Sequence, residues 1–175
     1  FGQAIPDMER LIEKLEKNNM LLIFKMHPLM NNDSEYIVLK EHYKDHPRLL
    51  FWDNEKDIYE IFNQVTLGIV DYSSIFYDML AAHVPYFIRY VFDYDNPVNF
   101  RDLVFDYEEM TFGKMAKDFD ALLEALDSYQ DSSSEDYERI NKLFWEYATD
   151  DSLEKIVNQT LEFTPHLDYE LKTLY

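Results

Sequence analysis

The chain has no cysteine, which excludes disulfides, thiolate metal sites and cysteine nucleophiles and accords with a reducing compartment. Glycine is scarce too. With 3 Gly and 6 Pro in 175 residues, there is no GxGxxG dinucleotide loop, no phosphate loop with its lysine, and no low-complexity or repeated segment. No apolar run is long enough to span a bilayer, and nothing at Phe1 reads as a basic signal segment. Positive charge is also short: 16 Lys and Arg stand against 35 Asp and Glu, a formal net charge of −19. Such a chain repels phosphate backbones and anionic headgroups at long range, so neither nucleic acid nor direct membrane insertion by this chain is expected. Between Asp118 and Glu138 there is no Lys or Arg at all, which reads as a solvated acidic helix face and loop. An anionic ligand must be held by local donors that overcome this field.

What is present is a core. At 47% hydrophobic residues the length suits one compact domain. Met8, Leu11, Ile12 and Leu15 recur at helical intervals behind Pro6. Met20 to Phe24 reads as a buried strand, Ser34 to Tyr43 as a helix, Arg48 to Trp52 as a second strand, Asp57 to Asn63 as a short helix, Leu67 to Val70 as a third strand and Pro85 to Tyr90 as a fourth. Apolar strands alternating with helices predict an α/β fold with a Rossmann-like parallel sheet flanked by helices, and ligands at the strands' carboxyl ends. His27, Asp53, Asp71 and Tyr90 occupy such ends. Beyond Asp93 the pattern turns to helices, Phe119 to Leu126, Tyr137 to Tyr147 and Ser152 to Leu161, with a turn-rich joint at Asp131 to Ser134. Residues 1–163 are expected to form a single domain and residues 164–175 a tail or linker. The helix at the start, where such domains open with a strand, and the aromatic, polar tail predict a piece of a larger protein.

The block from Thr66 to Tyr90, TLGIVDYSSIFYDMLAAHVPYFIRY, reads as strand, serine-bearing turn, helix and strand. A helix starting behind Asp71 to Ser74 aims unpaired N–H groups and the positive end of its dipole at whatever lies above Ser73 and Ser74, which suits a diphosphate. The plainer reading is that Asp71 or Ser73 is an ordinary N-cap. Lys25 and His27, two apart at a strand end, point the same way and supply a point charge and a donor or proton to one ligand, or else face solvent. Asp93-Tyr94-Asp95 copies a diphosphate-bound metal pattern common by chance in an acidic chain, and His42 and His46 have the spacing of two ligands on one helix face or of a surface helix end. Ser73 lacks the small flanking residues of a hydrolase nucleophile.

Taken in order, Lys25-Met26-His27-Pro28, Asp57, Asp71-Tyr72-Ser73-Ser74, Phe76 with Asp78, Pro85 with Tyr90 and Asp93, then Arg101 and Gly113 resemble the C-terminal nucleotide-binding half of the CDP-glycerol glycerophosphotransferase family of teichoic acid and capsule polymerases. The resemblance runs from about Leu21 to Gly113, with a weaker echo to Val157. Thr66, Val70, Met79, Val84 and Asp102 depart from the family's pattern.

The resemblance implies a two-domain GT-B glycosyltransferase architecture in which this half binds a CDP-polyol donor and the N-terminal acceptor domain of the same protein brings a polymer or lipid-linked acceptor. It implies that Ser73, Ser74 and the helix start hold the pyrophosphate, with Asp71, Asp78, Tyr90 and Asp93 in the substrate site. His27 and Lys25 then stabilise the transferring or leaving phosphate, and Arg101 adds charge. Metal is not required, because the helix dipole and side-chain donors stabilise the departing CMP, and no cofactor is expected. The family's first strand of this half and the N-terminal half with its catalytic base are expected to lie outside this chain, which alone should bind donor weakly without turnover. The implied location is cytoplasmic, at the inner face of the membrane. Two alternatives stay open: a GT-B domain using a nucleotide sugar, and a degenerate interaction module whose acidic end meets a basic partner.

Overall fold

The structure, a computed structural model, describes residues 2–27, 32–53, 55–94, 106–131 and 134–163. The expected α/β Rossmann-like architecture is present, with every strand pairing parallel. Helix α1 (Met8–Lys17) leads to β1 (Leu22–Phe24), α2 (Ser34–Tyr43), β2 (Leu49–Phe51), a 3₁₀ helix (Ile58–Gln64), β3 (Leu67–Val70), α3 (Ile75–Ala81) and β4 (Tyr86–Tyr90). Then come α4 (Tyr107–Met110), β5 (Lys114–Ala116), α5 (Phe119–Ser128), a 3₁₀ turn (Tyr129–Asp131), α6 (Ser134–Trp145) and α7 (Ser152–Phe163). Strands β1 and β2 form one parallel pair, and β3, β4 and β5 form a three-stranded sheet in that order, with Val70 opposite Arg89 and Tyr90 opposite Ala116.

The helices follow from spacing and caps. Asp7 accepts a hydrogen bond from the Arg10 N–H at 3.1 Å and starts α1, which buries Met8, Leu11, Ile12 and Leu15 on one face. Asp118 does the same for Ala121 at 2.7 Å, and α5 buries Phe119, Leu122, Leu123 and Leu126. These two faces enclose a cluster with Ile88 and Tyr90 of β4 and Phe24 and Leu49 of the paired strands. Each such side chain contributes roughly 1.5–3 kcal/mol on burial.

Alternation sends Phe87 and Arg89 to the other face of β4. There Phe76, Phe87 and Phe112 meet with ring centroids 4.6–5.5 Å apart, and Phe112 reaches Tyr137 of α6 at 5.7 Å. Gly68 lets α3 lie close on β3, because a Cβ there would stand 2.9 Å from Met79 Cε and the Phe87 ring. Gly113 has φ +106°, and a Cβ on it would stand 2.2 Å from the Phe87 carbonyl oxygen, so no other residue fits this crossing.

Strand β5 departs from the all-helical expectation beyond Asp93. Lys-Met-Ala lacks the apolar run that marks a buried strand, and its pairing to Ile88–Tyr90 is tertiary. Helix α6 begins at Ser134, three residues before the expected start at Tyr137, because its first turn is acidic and outward. The chain divides into residues 1–144, which hold both sheets, and residues 145–175, in which α7 buries no side chain. Among the described residues no helix is long and apolar enough to cross a membrane.

Candidate functional site

The ends of parallel strands are where side chains from separate crossovers converge, and the turn after β3 is the centre of the arrangement here. Asp71 Oδ1 accepts from the Ser73 N–H at 2.9 Å, and Ser73 Oγ accepts from the Ile75 N–H at 3.4 Å. Ser74 is the residue before α3, already helical at φ −63° and ψ −12°, and makes no side-chain cap bond. So neither Asp71 nor Ser73 is the N-cap: Asp71 closes the turn, Ser73 makes a long bond one residue early, and the Ser74 hydroxyl is left out of the capping. Both serines are exposed. The arrangement offers two exposed hydroxyls at the start of a helix to an anion, with the Asp71 carboxylate as its negative border; the Ile75, Phe76 and Tyr77 N–H groups already donate to Ser73 and Ser74, the Ile75 bond being long at 3.4 Å.

Lys25 and His27 are exposed just beyond β1, and the Lys25 ammonium donates to the Met26 carbonyl at 3.1 Å. Asp57 accepts from the Tyr59 N–H at 3.0 Å and so opens the 3₁₀ helix. The Asp78 carboxylate accepts from the Tyr59 hydroxyl at 2.8 Å, which ties α3 to that helix. Tyr90 is 9% exposed, and its hydroxyl donates to the Ala4 carbonyl from within the core. Burial pushes its hydroxyl up to about 12. Asp93 Oδ1 accepts from the Tyr72 hydroxyl at 3.1 Å. Pro28, Asp95, Arg101 and Asp102 lie outside the described residues.

The metal readings gain no geometry. Helix α2 ends at Tyr43, so His46 lies beyond it and His42 and His46 do not share a helix face. His46 Nδ1 instead accepts from the Arg48 N–H at 3.2 Å. Among the described residues no three His, Asp or Glu side chains converge on a metal position.

Several residues at this end had not been anticipated. Arg89 extends from β4, donating from Nη1 to Thr111 Oγ1 at 3.2 Å and from Nη2 to the Gly113 carbonyl at 3.0 Å. Its guanidinium lies 5.9 Å from the Tyr107 ring centroid, and its Nε is buried with no hydrogen-bond partner among the described residues. Burial lowers its pKa from the ordinary arginine value. The Tyr107 hydroxyl donates to the Asp71 carbonyl at 2.8 Å, so the Arg89 side stands directly behind the serine turn. Burial raises the Tyr107 hydroxyl far above the usual tyrosine range. The signal for Arg89 was a single charge inside the apolar run Tyr86 to Val91; Tyr107 had none, because its partners, Asp71 and Arg89, lie far from it along the chain.

A family model described as CDP-glycerol:poly(glycerophosphate) glycerophosphotransferase matches residues 1–162. The teichoic acid ribitol-phosphate polymerases TarK and TarL of Staphylococcus aureus are each 35% identical over 134 residues, covering 75% of this chain and 23% and 21% of those proteins. The minor teichoic acid biosynthesis protein GgaB of Bacillus subtilis is 26% identical over 162 residues, which is 91% of this chain and 17% of that protein. The chain therefore spans less than a quarter of the length of these relatives.

Proposed function

Because the chain belongs to the CDP-glycerol:poly(glycerophosphate) glycerophosphotransferase family, we propose that it is the donor-binding half of a GT-B enzyme. In this reading the enzyme passes a polyol phosphate from a CDP carrier to a teichoic-acid-type polymer. The observation that supports this most directly is the exposed Asp71–Ser74 turn at the carboxyl end of β3, with the Ser74 hydroxyl outside the helix cap. A diphosphate there takes hydrogen bonds from the Ser73 and Ser74 hydroxyls and, by displacing the long bond that the Ile75 N–H makes to Ser73, from that amide as well. The names of the relatives, which refer to ribitol phosphate and teichoic acid, support the donor class.

The reaction is displacement at the donor's β-phosphorus. A hydroxyl of the growing polymer forms the new O–P bond, the P–O bond to the α-phosphate breaks, and its electron pair leaves with CMP. The hydroxyl's proton passes to a base on the acceptor domain, which this chain does not supply. Lys25 and His27 sit exposed beyond β1, and in this reading they stabilise the charge that grows on departing CMP, as does Arg101. Asp78 and Tyr90 set the α3 and β4 ends from behind through Tyr59 and Ala4. The acceptor domain, the polymer and a location at the inner membrane face belong to the whole protein in this proposal.

Calorimetric titration with CDP, CDP-glycerol, CDP-ribitol and a UDP-sugar tests the reading. Cytidine-selective binding that Ser73→Ala and Ser74→Ala each weaken about three- to tenfold, the worth of one or two hydrogen bonds, is the expected result. Preference for the UDP-sugar, or serine variants that bind as the wild type does, counts against it.

A further inference from the structure

Three tyrosines from three separate crossovers meet beside the serine turn. Tyr72 follows β3, Tyr94 follows β4 and Tyr107 opens α4, and their ring centroids form a triangle with sides of 5.4, 6.4 and 6.4 Å. Tyr72 and Tyr94 are nearly parallel, with 14° between their planes, and Tyr107 is tilted across both by 55° and 45°. We propose that this tyrosine corner, with the Asp93 carboxylate at its edge, is the subsite for the hydroxylated chain of the donor, a small linear polyol esterified to the diphosphate. The inference rests on the donor reading above and assigns one end of that ligand to one wall of the site.

Position gives the first argument. Tyr72 directly precedes Ser73, and the Tyr107 hydroxyl holds the carbonyl of Asp71 at 2.8 Å, so the corner is continuous with the turn that takes the diphosphate. The group esterified to that diphosphate must lie within a few bonds of it.

Chemistry gives the second. A linear polyol presents C–H edges and many hydroxyl donors, and no flat face. Rings offer their faces to C–H groups, and carboxylates accept from hydroxyls. Both are here: the Tyr72 hydroxyl already donates to Asp93 at 3.1 Å, and the Tyr94 hydroxyl to Glu108 at 3.4 Å, so each carboxylate is shown accepting the kind of donor a polyol carries. The Lys117 ammonium lies 4.5 Å from the Tyr94 centroid and adds one positive charge to the corner. A planar base fits less well, since the three rings are already at contact distance of one another and a base would have to part them. Nor is the corner built for proton abstraction. Burial raises the pKa of both Tyr94 and Tyr107, with Glu108 adding to the effect at Tyr94, so their hydroxyls stay protonated at neutral pH.

The experiment compares CDP with CDP-glycerol and CDP-ribitol by calorimetry on the chain and on its Tyr94→Ala and Tyr72→Phe variants, with a thermal melt of each. The wild type is expected to bind the CDP-polyols more tightly than CDP. Tyr94→Ala should weaken the polyol donors about three- to tenfold while CDP stays within about twofold, and Tyr72→Phe, which keeps the ring, should show the same split more weakly. Equal loss for CDP and CDP-polyols overturns the inference in favour of a nucleoside wall, and unchanged polyol affinity in both variants overturns it outright. If Tyr94→Ala melts early, Tyr72→Phe decides. A wild-type chain that binds CDP and the polyol donors equally overturns only this inference, whereas one that binds none of them overturns the donor reading itself.

Discussion

The two faces of β4 differ in kind. Ile88 and Tyr90 look into a cluster supplied by α1 and α5, in which Leu, Ile, Met and Phe side chains close over the sheet. Phe87 and Arg89 look the other way, into aromatic rings and then to a half-buried guanidinium that holds Thr111 and Gly113. One face is bulk burial, and its cluster includes no residue of the serine turn. The other connects by discrete contacts, Arg89 behind Tyr107 and Tyr107 on the Asp71 carbonyl. The two faces thus bear differently on the site: substitutions on the first face should move the melting point alone, and substitutions on the second should move binding, whatever they do to the melting point.

The largest effect is expected at Gly113. A Cβ 2.2 Å from the Phe87 carbonyl, on a residue at φ +106°, adds steric overlap to backbone strain, so Gly113→Ala should cost about 3–5 kcal/mol, read from the urea midpoint. Because Gly113 also presents its carbonyl to Arg89, donor binding should fall even where the variant is still folded. Retained binding in the folded fraction would break the link between this face and the turn.

The next pair sharpens the contrast. Ile88 is fully buried among α1 and α5 side chains, and Ile88→Ala should cost about 2–5 kcal/mol while donor affinity, measured below the melting transition, stays put. Arg89→Met removes a half-buried charge, whose buried Nε has no partner among the described residues, and two hydrogen bonds. These oppose one another, so stability should stay within about 1 kcal/mol while binding weakens as Tyr107 loses its backing. If both variants lose stability and binding in proportion, the faces are not separable.

What the sequence made legible divides along the same line. Periodicity found the aliphatic face: α1 and α5 carry apolar residues at helical intervals, and Leu67–Val70 has the expected limits because an apolar run defines it. The serine turn was legible because residue types that bond to helix-start amides broke an apolar strand. The aromatic face was not. Strand β5 has one lysine in three residues and exists by pairing with β4. Tyr107 and Thr111 sit in a segment with no period, and their value comes from Arg89, which is 18 and 22 positions away along the chain. Contacts between residues so far apart leave no local pattern. Asp78 was placed in the substrate site by resemblance and Tyr90 by resemblance and its place at a strand end, and only the structure shows that Tyr59 and Ala4 hold them.

A smaller pair of effects compares how helices on the two sides end. After α1, Asn19 has φ 51°; after α3, His83 has φ 63°. Both close the same motif, with Asn19 and Met20 donating to Glu16 and Leu15, and His83 and Val84 donating to Leu80 and Met79. Asparagine tolerates this conformation, and Asn19 also accepts from Arg48 Nη1 at 2.9 Å. Histidine has the steric penalty of a Cβ there and only a 3.3 Å contact with the Tyr137 hydroxyl. His83→Gly should therefore stabilise by roughly 0.5–1 kcal/mol, and Asn19→Gly should be near neutral. Equal gains in thermal melts would show that the Arg48 bond contributes nothing.

The smallest effect is electrostatic and lies on the solvent edge of the aliphatic side, where α1 meets α5. Asp127 accepts from Asn18 Nδ2 at 2.8 Å, from Lys14 at 2.6 Å and from Lys17 at 3.4 Å. The Asn18 bond first, then the lysines, hold its carboxyl well below the ordinary carboxylate range. A carboxyl whose folded pKa is depressed contributes stability that is fully present above its unfolded value of 3.8 and is lost as pH falls through the folded pKa. Wild type and Asp127→Asn should thus differ by a constant amount from neutral pH down to about 5, and the difference should close as acid protonates the wild-type side chain. Solvent screens these groups, so added salt should shrink the gap as well. Arg89→Met supplies the contrast, because the guanidinium bonds to a hydroxyl and a carbonyl and meets the carboxylates of Glu108 and Asp136 only through the field: its offset from wild type should change less over the same range. An offset for Arg89→Met as pH-dependent as that of Asp127→Asn would remove the division between an acid-sensitive outer face and a less sensitive inner one.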